Sequence, residues 1–417
     1  MTEIVDIILS EANGSFFYDD QAAIRSGLEQ DGFTYAGNPQ TPGFTKVRIP
    51  SAALSIGLVL SDGAVIWGDM VSVQYSGAAG RDPLFDRDTI ATVCRERAMP
   101  KLIGSECVNA AENCAKAFAN NSNEHVPLAI QYGASQALIA AAAYAKRCTM
   151  TEIICEIFDE SLPTKPIPIF SQSGDERKLN VDKMVLKKVD VLPHGLINSK
   201  EKFGPQGEIF LDYIRWVAGR VRKLGAPDYQ PVLHFDLYGW IGLGYSRDPI
   251  EVARFMAKCA DAATGFELLI ESPVDYGERA AQIDNYAALV AELDALGTPA
   301  KVVADEHCNT LQDVRDFCDA KAAHVVQIKT PDVGSLLDTA RAIGYAKKSG
   351  VGAYSGGTSA ETDLSARACV HVALAMQATM MLAKPGMGVD EGICIVGNEQ
   401  NRTLAQIRRR LATERVQ

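Results

Sequence analysis

From about residue 165 onward, short apolar runs with a preference for β structure alternate with amphipathic stretches. The runs are PIPIF, VLPHGLIN, PVLHFDLY, FELLIES, KVVADE, AHVVQIK and VGAYSGG, with GICIVG as a further candidate. The amphipathic stretches cover residues 208–223, 248–263, 276–296, 310–321 and 333–349. Parallel strands need a crossover connection, usually a helix, so this alternation predicts a parallel sheet of the α/β class. Seven or eight such units predict a TIM-type (β/α)8 barrel.

The first 160 residues have a different pattern. Residues 54–60, an Asp-Gly turn and residues 64–69 predict a β-hairpin. Helices are predicted over the segments that follow, at 89–102, at 107–120 and, as a pair, at 126–160. Two segments rich in glycine and aromatic residues, 14–21 and 74–85, are expected to be ordered loops. Strands followed by helices indicate an α+β domain, so we expect one domain over 1–160 and the barrel over 161–417.

The overall charge argues against several functions. The 417 residues carry a formal net charge of −11 with a pI near 5.2, and no block of Lys or Arg stands out. Nucleic acid is therefore not an expected partner. No apolar run reaches the ~18 residues that a membrane span needs. None of the ten cysteines lies in a C-x-x-C pair, so zinc and thioredoxin-like sites are not expected. Free thiols in a cytoplasmic protein are the expectation.

Three carboxylates directly follow apolar strand cores: Asp236 in HFDLYG, Glu271 in LLIES and Asp305 in KVVADE. Active sites of (β/α) barrels lie at the C-terminal ends of the strands, so these side chains should converge at the mouth. Three carboxylates at one place repel one another unless a cation lies between them. Magnesium, which prefers oxygen ligands, suits such a set. One such carboxylate would be explained as a loop cap or a surface charge, whereas three on successive strands predict a metal site.

Lys329 ends the next predicted strand, HVVQIK. A lysine is a base only when it is neutral, and burial and a nearby dication would both lower its pKa. Gln327 lies two residues earlier and should point to the same side of the strand, where its amide can donate to a carboxylate. The alternative for Lys329 is a surface lysine, which the apolar run before it disfavours. A base beside a metal suits the removal of a proton next to a carboxylate.

Histidines supply the candidates for a second acid or base. His194 follows the VLP run near an early strand end, across the predicted barrel from the lysine. A lone histidine is more often structural, and its place in the strand order favours a role in proton transfer. His234 is expected to be a supporting or core residue, and His307 is a weaker rival. Turns at 171–175 and 356–359, rich in glycine and hydroxyl groups, are suited to an anion.

The chain resembles the methylaspartate ammonia-lyases of the enolase superfamily, through blocks spread from residue 14 to about 402. The blocks are GSFFYDDQAAI, DGFTYAG, VQYSGAAGRDPLF, MPKLIG, FSQSGDE, VDKM, VDVLPHGLIN, VADEHCNT, VQIKTPD, GAYSGGTSAETD and LAKPGMGVDEG. The resemblance implies a modified barrel with an N-terminal α+β capping domain, in a homodimer. It also implies the reversible elimination of ammonia from (2S,3S)-3-methylaspartate to give mesaconate. In that reaction a lysine removes the C3 proton and magnesium stabilises the enolate.

The resemblance assigns roles to individual residues. The Mg²⁺ ligands would be Asp236, Glu271 and Asp305, and a monovalent cation such as K⁺ is a further candidate cofactor. Lys329 would remove the C3 proton, and His194 would act on the opposite face. Positions that match contacts with the substrate's carboxylate and amine groups are Gln172, Gln327, Thr358 and the backbone of Ser359. Positions that match the surroundings of the amine and methyl groups are Gln74, Phe170, Tyr354 and Leu382.

One turn departs from the family pattern. The family usually reads CGGTCNET where this chain reads SGGTSAET. Ser355 and Ser359 therefore stand in place of cysteines, and Ala360 stands in place of an asparagine. A backbone contact at residue 359 survives these changes, whereas a contact from the asparagine amide is lost. The departure bears on substrate range and efficiency rather than on the reaction class.

Two other functions fit part of the pattern. The same metal and Lys–His pair could serve another enolase-type reaction, either the dehydration of an acid sugar or an epimerisation. Either reaction would need pocket contacts other than Gln172 and Gln327. A silent barrel that only binds a ligand predicts decay of the site, yet every metal and base position is filled.

Overall fold

The N-terminal part of the chain forms a three-stranded antiparallel sheet. The structure is a computed structural model that describes residues 2–77, 81–119 and 125–414. The strands of this part are β1 (Ile4–Asp19), β2 (Gln30–Asp31), β3 (Thr34–Tyr35), β4 (Arg48–Leu60) and β5 (Val65–Met70). The sheet order is β1-β4-β5, and β2 and β3 form a separate ribbon. The predicted hairpin is confirmed, because Leu54 pairs with Met70 and Val59 pairs with Val65.

The first strand overturns one expectation, since residues 14–19 lie in β1 and not in a loop. β1 pairs with β4 on both sides of a register shift between Asn13 and Phe17. From Asn13 to Phe17 the strand β1 advances four residues, while β4 advances two from Ala52 to Pro50, so β1 carries two extra residues there. This irregular step takes up Gly14, and the pairing with β4 resumes beyond it. Tyr18 is buried beyond it, and its hydroxyl donates to the carbonyl oxygen of Ala52 at 2.8 Å.

Helices cover this sheet and lead toward the second part. They are α1 (Gln21–Arg25), α2 (Arg87–Val93), α3 (Met99–Leu102), α4 (Ala110–Phe118), α5 (Leu128–Lys146) and α6 (Met150–Phe158), with a π-helical segment at Cys94–Ala98. The helical segments predicted at 89–102, 107–120 and 126–160 are confirmed, the second of them by α4. Residue 120, at the end of the segment predicted at 107–120, and residues 78–80 of the loop predicted at 74–85 lie outside the described residues. The division of the chain at residue 160 stays a prediction.

Eight parallel strands close into a barrel in the second part of the chain. They are β6 (Ile169–Phe170), β7 (Val191–His194), β8 (Val232–Asp236), β9 (Leu268–Glu271), β10 (Ala300–Ala304), β11 (Val325–Ile328), β12 (Gly352–Ser355) and β13 (Met380–Leu382). Their order around the barrel follows the order of the sequence, with β13 pairing back to β6. The predicted TIM-type barrel with an N-terminal capping part, which we call the cap, is confirmed.

Helices lie between the barrel strands and after the last of them. They are α7 (Arg177–Leu186), α8 (Lys200–Phe203), α9 (Glu208–Leu224), α10 (Trp240–Gly244), α11 (Pro249–Ala263), α12 (Arg279–Leu296), α13 (Leu311–Asp319), α14 (Thr330–Val333), α15 (Leu336–Lys348), α16 (Asp363–Met376) and α17 (Glu391–Glu414). The candidate strand GICIVG was wrong, because it lies in α17. Buried positions 396, 400, 403, 404 and 407 recur at helical spacing there, so the segment buries one helix face.

Two apolar clusters hold the second part together. A small cluster fills the inside of the barrel with Phe170, Val191, Leu269, Val303, Val325, Tyr354, Met380 and Leu382. The main core lies between the barrel strands and the helices and continues into the cap. Among the helices that the structure describes, none combines the length and the apolar character that crossing a membrane requires.

Candidate active site at the mouth of the barrel

The three predicted carboxylates lie on neighbouring strands at one rim of the barrel. Asp236 and Glu271 are the last residues of β8 and β9 and pair with each other in register. Asp305 follows β10 directly. All three side chains are buried. The rim is formed by the C-terminal ends of the strands, which is where (β/α) barrels carry their active sites.

The carboxylates lie within electrostatic reach of one another. Burial, and then the charges of Asp236 and Asp305, raise the pKa of Glu271 well above its ordinary value. Glu271 Oε2 accepts no well-aligned hydrogen bond from the described residues, and neither does Asp305 Oδ1, whose contact is an ion pair with Lys329. A buried carboxylate oxygen without such a donor is costly, because its hydration has been lost. The all-oxygen set and its two oxygens without aligned donors therefore fit a hard divalent cation such as Mg²⁺.

In the structure the same carboxylates are turned toward nitrogen atoms. Asp236 Oδ2 is 3.3 Å from His194 Nε2, and Asp305 Oδ1 is 2.6 Å from Lys329 Nζ. Over the described ranges, no group of three or more His, Cys, Asp or Glu side chains is arranged to hold a metal ion as the side chains stand. A cation at this site would thus compete with His194 and Lys329 for carboxylate oxygens.

Lys329 follows β11 and is the N-cap residue of the short helix α14. Burial lowers the pKa of Lys329, but the charge of Asp305 acts in the opposite direction, and the resulting pKa is raised. The expectation of a lowered pKa therefore does not hold for this arrangement of charges. The physical reason is the ion pair with Asp305, which stabilises the protonated amine.

Two neutral side chains surround Glu271. Gln327 Nε2 donates to Glu271 Oε1, as the position of Gln327 on the strand predicts. His234 Nε2 is 2.8 Å from Glu271 Oε2. Burial, and then the neighbouring His194, lower the pKa of His234 well below its ordinary value, so its imidazole is neutral. His234 also stacks on Phe170 with ring centroids 4.2 Å apart, which fits the expected supporting role.

His194 lies directly across the barrel mouth from Lys329. It is the last residue of β7, which is four strands from β11 in either direction around the closed barrel. Its backbone has a φ of 70°, a conformation that is uncommon for a residue other than glycine. The two candidate acid/base groups thus face the same space from opposite sides.

The capping part contributes to the site through Gln74. The backbone N–H of Gln74 donates to Thr358 Oγ1 at 3.2 Å, and Ser359 Oγ donates to Gln74 Oε1 at 3.2 Å. Thr358 and Ser359 follow β12, so three predicted contacts from two parts of the chain come together. Gln172, which follows β6, is half-buried at the same rim. Tyr354 and Leu382 lie in the cluster inside the barrel, together with Phe170.

Several residues near the site carried no signal in the sequence. Arg81, from the cap, is buried and donates from Nε to Asp332 Oδ2 at 2.9 Å. Tyr238 is half-buried beside the three carboxylates, where loss of hydration, and then the charge of Asp236, raise the pKa of its hydroxyl well above the ordinary value. Arg81 and Asp332 come from separate segments of the chain, so no local pattern marks their contact.

A fully buried ion pair lies beneath the SGGTSAET turn. Lys384 Nζ is 2.8 Å from Glu361 Oε1 and also donates to Thr330 Oγ1 at 3.1 Å and to the Gly356 carbonyl oxygen at 2.8 Å. On the other side, Glu361 Oε2 accepts from the hydroxyl of Tyr132 in α5 at 2.7 Å. This network joins the cap, the turn and the residue that follows Lys329. The signal available in the sequence was a lysine within the apolar run MMLAKPG.

Comparisons with known proteins agree over nearly the whole chain. The family model for the N-terminus of methylaspartate ammonia-lyase matches residues 2–159, and the model for its C-terminus matches residues 161–409. The methylaspartate ammonia-lyase of Clostridium tetanomorphum is 46% identical over 413 residues, which cover 98% of this chain and 100% of that protein.

Solved structures give the same result. The β-methylaspartase of Clostridium tetanomorphum, solved as a Mg complex, is 45% identical with a TM-score of 0.93, and the match covers 98% of this chain and all of that one. The methylaspartate ammonia-lyase of Citrobacter amalonaticus, solved with (2S,3S)-3-methylaspartic acid, is 45% identical with a TM-score of 0.95 over 97% of this chain and all of that one.

The architecture alone is shared more widely. The muconate lactonizing enzyme of Pseudomonas fluorescens is 17% identical with a TM-score of 0.58, and the match covers 89% of this chain and 84% of that one. This likeness concerns the fold of a capped barrel. The family is assigned by the sequence identity over nearly the full length and by the two family models. They show that the chain belongs to the methylaspartate ammonia-lyase family.

Proposed function

We propose that this protein eliminates ammonia reversibly from (2S,3S)-3-methylaspartate to give mesaconate. The observation that carries the proposal is the opposition of Lys329 and His194 across a mouth lined by Asp236, Glu271 and Asp305. Elimination needs a base on one face of C3 and a site that stabilises charge on the neighbouring carboxylate. The substrate class is a small amino-dicarboxylate.

In the proposed mechanism, Lys329 Nζ takes the proton from C3. The electrons of the C3–H bond form the double bond between C3 and C2, and the C2–N bond breaks so that ammonia leaves with its electron pair. When held by Asp236, Glu271 and Asp305, Mg²⁺ supplies positive charge that stabilises the carboxylate next to C3 and offsets the charge of Asp305 on Lys329. His194 lies on the opposite face of C3, where it would take the C3 proton of the 3-epimer.

The other residues in the proposal hold the substrate. Thr358 and Ser359 bind a substrate carboxylate, together with Gln172 and Gln327. Gln74 accepts a hydrogen bond from the amine through Oε1, while Phe170, Tyr354 and Leu382 surround the amine and methyl groups. The apolar character of these last three side chains suits a methyl substituent at C3.

On the same resemblance we propose a cytoplasmic homodimer that uses Mg²⁺, with K⁺ as a second cation to test. Sedimentation analysis measures the oligomeric state directly. Activity measured after chelation, and then after adding back Mg²⁺ with and without K⁺, measures each cation requirement separately.

The test of the mechanism follows the appearance of mesaconate by its ultraviolet absorbance. Lys329→Ala should lower kcat by roughly 10²-fold or more, because general-base catalysis supplies about that much. His194→Ala should keep more activity toward the (2S,3S) substrate and lose it toward the 3-epimer. Lys321→Ala is the matched control, because this exposed lysine precedes the same strand at its opposite end.

Wild-type activity in Lys329→Ala would refute the assignment of the base. Product analysis with acid sugars and with the 3-epimer distinguishes the dehydratase and epimerase alternatives, since neither reaction releases ammonia from 3-methylaspartate.

A further inference from the structure

A bidentate ion pair lies next to Gln74 in the capping part. Arg48 donates from Nε to Asp19 Oδ1 at 2.6 Å and from Nη2 to Asp19 Oδ2 at 2.8 Å. Both side chains are almost fully buried, at 8% and 2% exposed. Asp19 is the last residue of β1 and Arg48 the first of β4, so the pair is built into the sheet of the cap.

This pair determines which way the Gln74 amide points. Gln74 Nε2 donates to Asp19 Oδ2 at 2.8 Å. A carboxylate only accepts hydrogen bonds, so the reversed amide would place its oxygen against a carboxylate oxygen. The amide nitrogen must therefore face the cap, and Oε1 must face the barrel. The contact from Ser359 Oγ to Oε1 fits this orientation.

We propose that Asp19 and Arg48 are positioning residues that fix Oε1 of Gln74 as the acceptor for the amine of the substrate. The inference rests on the proposed function. An ammonium or amine group offers donors to such a site, whereas the reversed amide would oppose it with an NH2 group. Arg48 holds both carboxylate oxygens in place, and a bidentate pair gives that fixed geometry.

Loss of this positioning should affect the binding of the amine and leave the binding of the substrate carboxylates unchanged. Asp19 acts on the amine through Gln74, while the substrate carboxylates are held by other residues. In the addition direction, ammonia and mesaconate are separate substrates. The KM for ammonia therefore reports on the amine-binding residues, and the KM for mesaconate reports on the carboxylate-binding residues. An orientation role predicts a change in the KM for ammonia and none in the KM for mesaconate.

The experiment measures the addition of ammonia to mesaconate by wild type and by Asp19→Asn. The asparagine keeps the shape but replaces one acceptor with an NH2 group, so both orientations of the Gln74 amide become accessible. We expect the KM for ammonia to rise about tenfold or more, which is the value of one hydrogen bond to a charged group. The KM for mesaconate should stay within about twofold of wild type.

Two further variants complete the design. Asp182→Asn is the matched control, because Asp182 and Arg220 form a bidentate pair with contacts of 2.7 and 2.5 Å between α7 and α9, outside the barrel. Its KM values should both be unchanged. Arg48→Lys keeps the charge and loses the two-pronged contact, so it should raise the same KM by a smaller factor. It also tests the inference if Asp19→Asn does not fold by circular dichroism.

The outcomes separate the inference from the function. If wild type does not add ammonia to mesaconate, the proposed function fails and the inference fails with it. If wild type is active but the variants at Asp19 and Arg48 leave the KM for ammonia unchanged, or raise both KM values equally, the inference alone is overturned.

Discussion

At the scale of single residues, the site stabilises buried carboxylates with neutral donors as well as with charges. Glu271 accepts from the amide of Gln327 and lies 2.8 Å from the neutral imidazole of His234. A neutral donor lowers the cost of burying the carboxylate without adding a full charge that would repel an incoming cation. A further negative charge beside Glu271 would add to the repulsion that Asp236 and Asp305 already exert on it.

Replacing this donor by an acid should therefore be costly. Gln327→Glu keeps the shape but sets a second carboxyl group against Glu271, and we expect a loss of about 3 kcal/mol or more in the free energy of unfolding of the metal-free protein. Urea unfolding at neutral pH measures it.

Gln312→Glu is the control for that change. Gln312 also donates its amide to a carboxylate, that of Asp316 at 2.8 Å, but on the exposed surface of α13. We expect a change within about 0.5 kcal/mol there. Equal losses at the two positions would mean that burial of Glu271 is not what makes its donor important.

At the scale of elements, α5 approaches β5 closely because glycines face each other. Gly68 in β5 lies against the backbone of Gly133 and Ala137 in α5. A Cβ atom on Gly133 would lie 2.6 Å from the backbone nitrogen of Met70. Gln136 bridges the same contact, since its Oε1 accepts from the Asp69 N–H at 3.0 Å and its Nε2 donates to the Asp69 carbonyl oxygen at 3.1 Å.

Gly133→Ala and Gly219→Ala should shift stability in opposite directions. Gly133→Ala forces the helix away from the sheet, and we expect a loss of about 1–3 kcal/mol despite the better helix propensity of alanine. Gly219 lies in α9, where an added methyl group would enter open space. There, alanine should stabilise by about 0.5–1 kcal/mol. Thermal unfolding of both variants measures the sign of each change in stability. A gain in stability for Gly133→Ala would contradict the close contact between α5 and β5.

At the scale of the whole molecule, contacts between distant segments join the cap, the barrel and the last helix. The Lys384–Glu361 pair connects the barrel turns to Tyr132 of the cap. The last helix, α17, attaches to α16 through Glu399, whose Oε1 is 3.5 Å from His371 Nε2. Glu399 Oε2 also accepts from Arg402 of its own helix at 2.7 Å.

This attachment should depend on pH. Burial raises the pKa of Glu399, but the contacts with His371 and Arg402 outweigh it and lower the pKa from 4.5 to about 2. A carboxyl group with a lowered folded-state pKa contributes stability above its unfolded pKa and loses it as the pH falls toward the folded value. The contribution is present above about pH 4.5 and is lost between there and about pH 2.

The test compares wild type with Glu399→Gln. At pH 6 the variant should be less stable by about 1–2 kcal/mol, because part of the ion pair is open to solvent and screened. The difference should shrink on acidification through that window, as measured by urea unfolding at each pH. Asp228→Asn, which alters an exposed carboxylate, should follow the wild-type curve. A constant difference between wild type and Glu399→Gln at every pH would contradict the assigned contacts.

Much of the architecture was predictable because strands and helices have different periods. The alternation from residue 165 predicts the barrel, and the positions of Asp236, Glu271, Asp305 and Lys329 after apolar runs predict the rim on which they lie. The sequence pattern does not mark the eighth strand, because Met380–Leu382 begins four residues after the last residue of α16 and its apolar residues continue the apolar run of that helix. Its place was given to GICIVG, whose apolar residues instead belong to one face of a helix.

The order of the strands, and with it the set of side chains that gather at one rim, can be read from the chain alone, because both follow from local periodicity. The pairing of those side chains depends on the folded molecule. The contact of Arg81 with Asp332 joins residues 251 positions apart, and that of Gln74 with Ser359 joins residues 285 positions apart. Hydrogen-bond partners, amide orientation and burial depend on distances through space, and no local pattern in a sequence contains those distances.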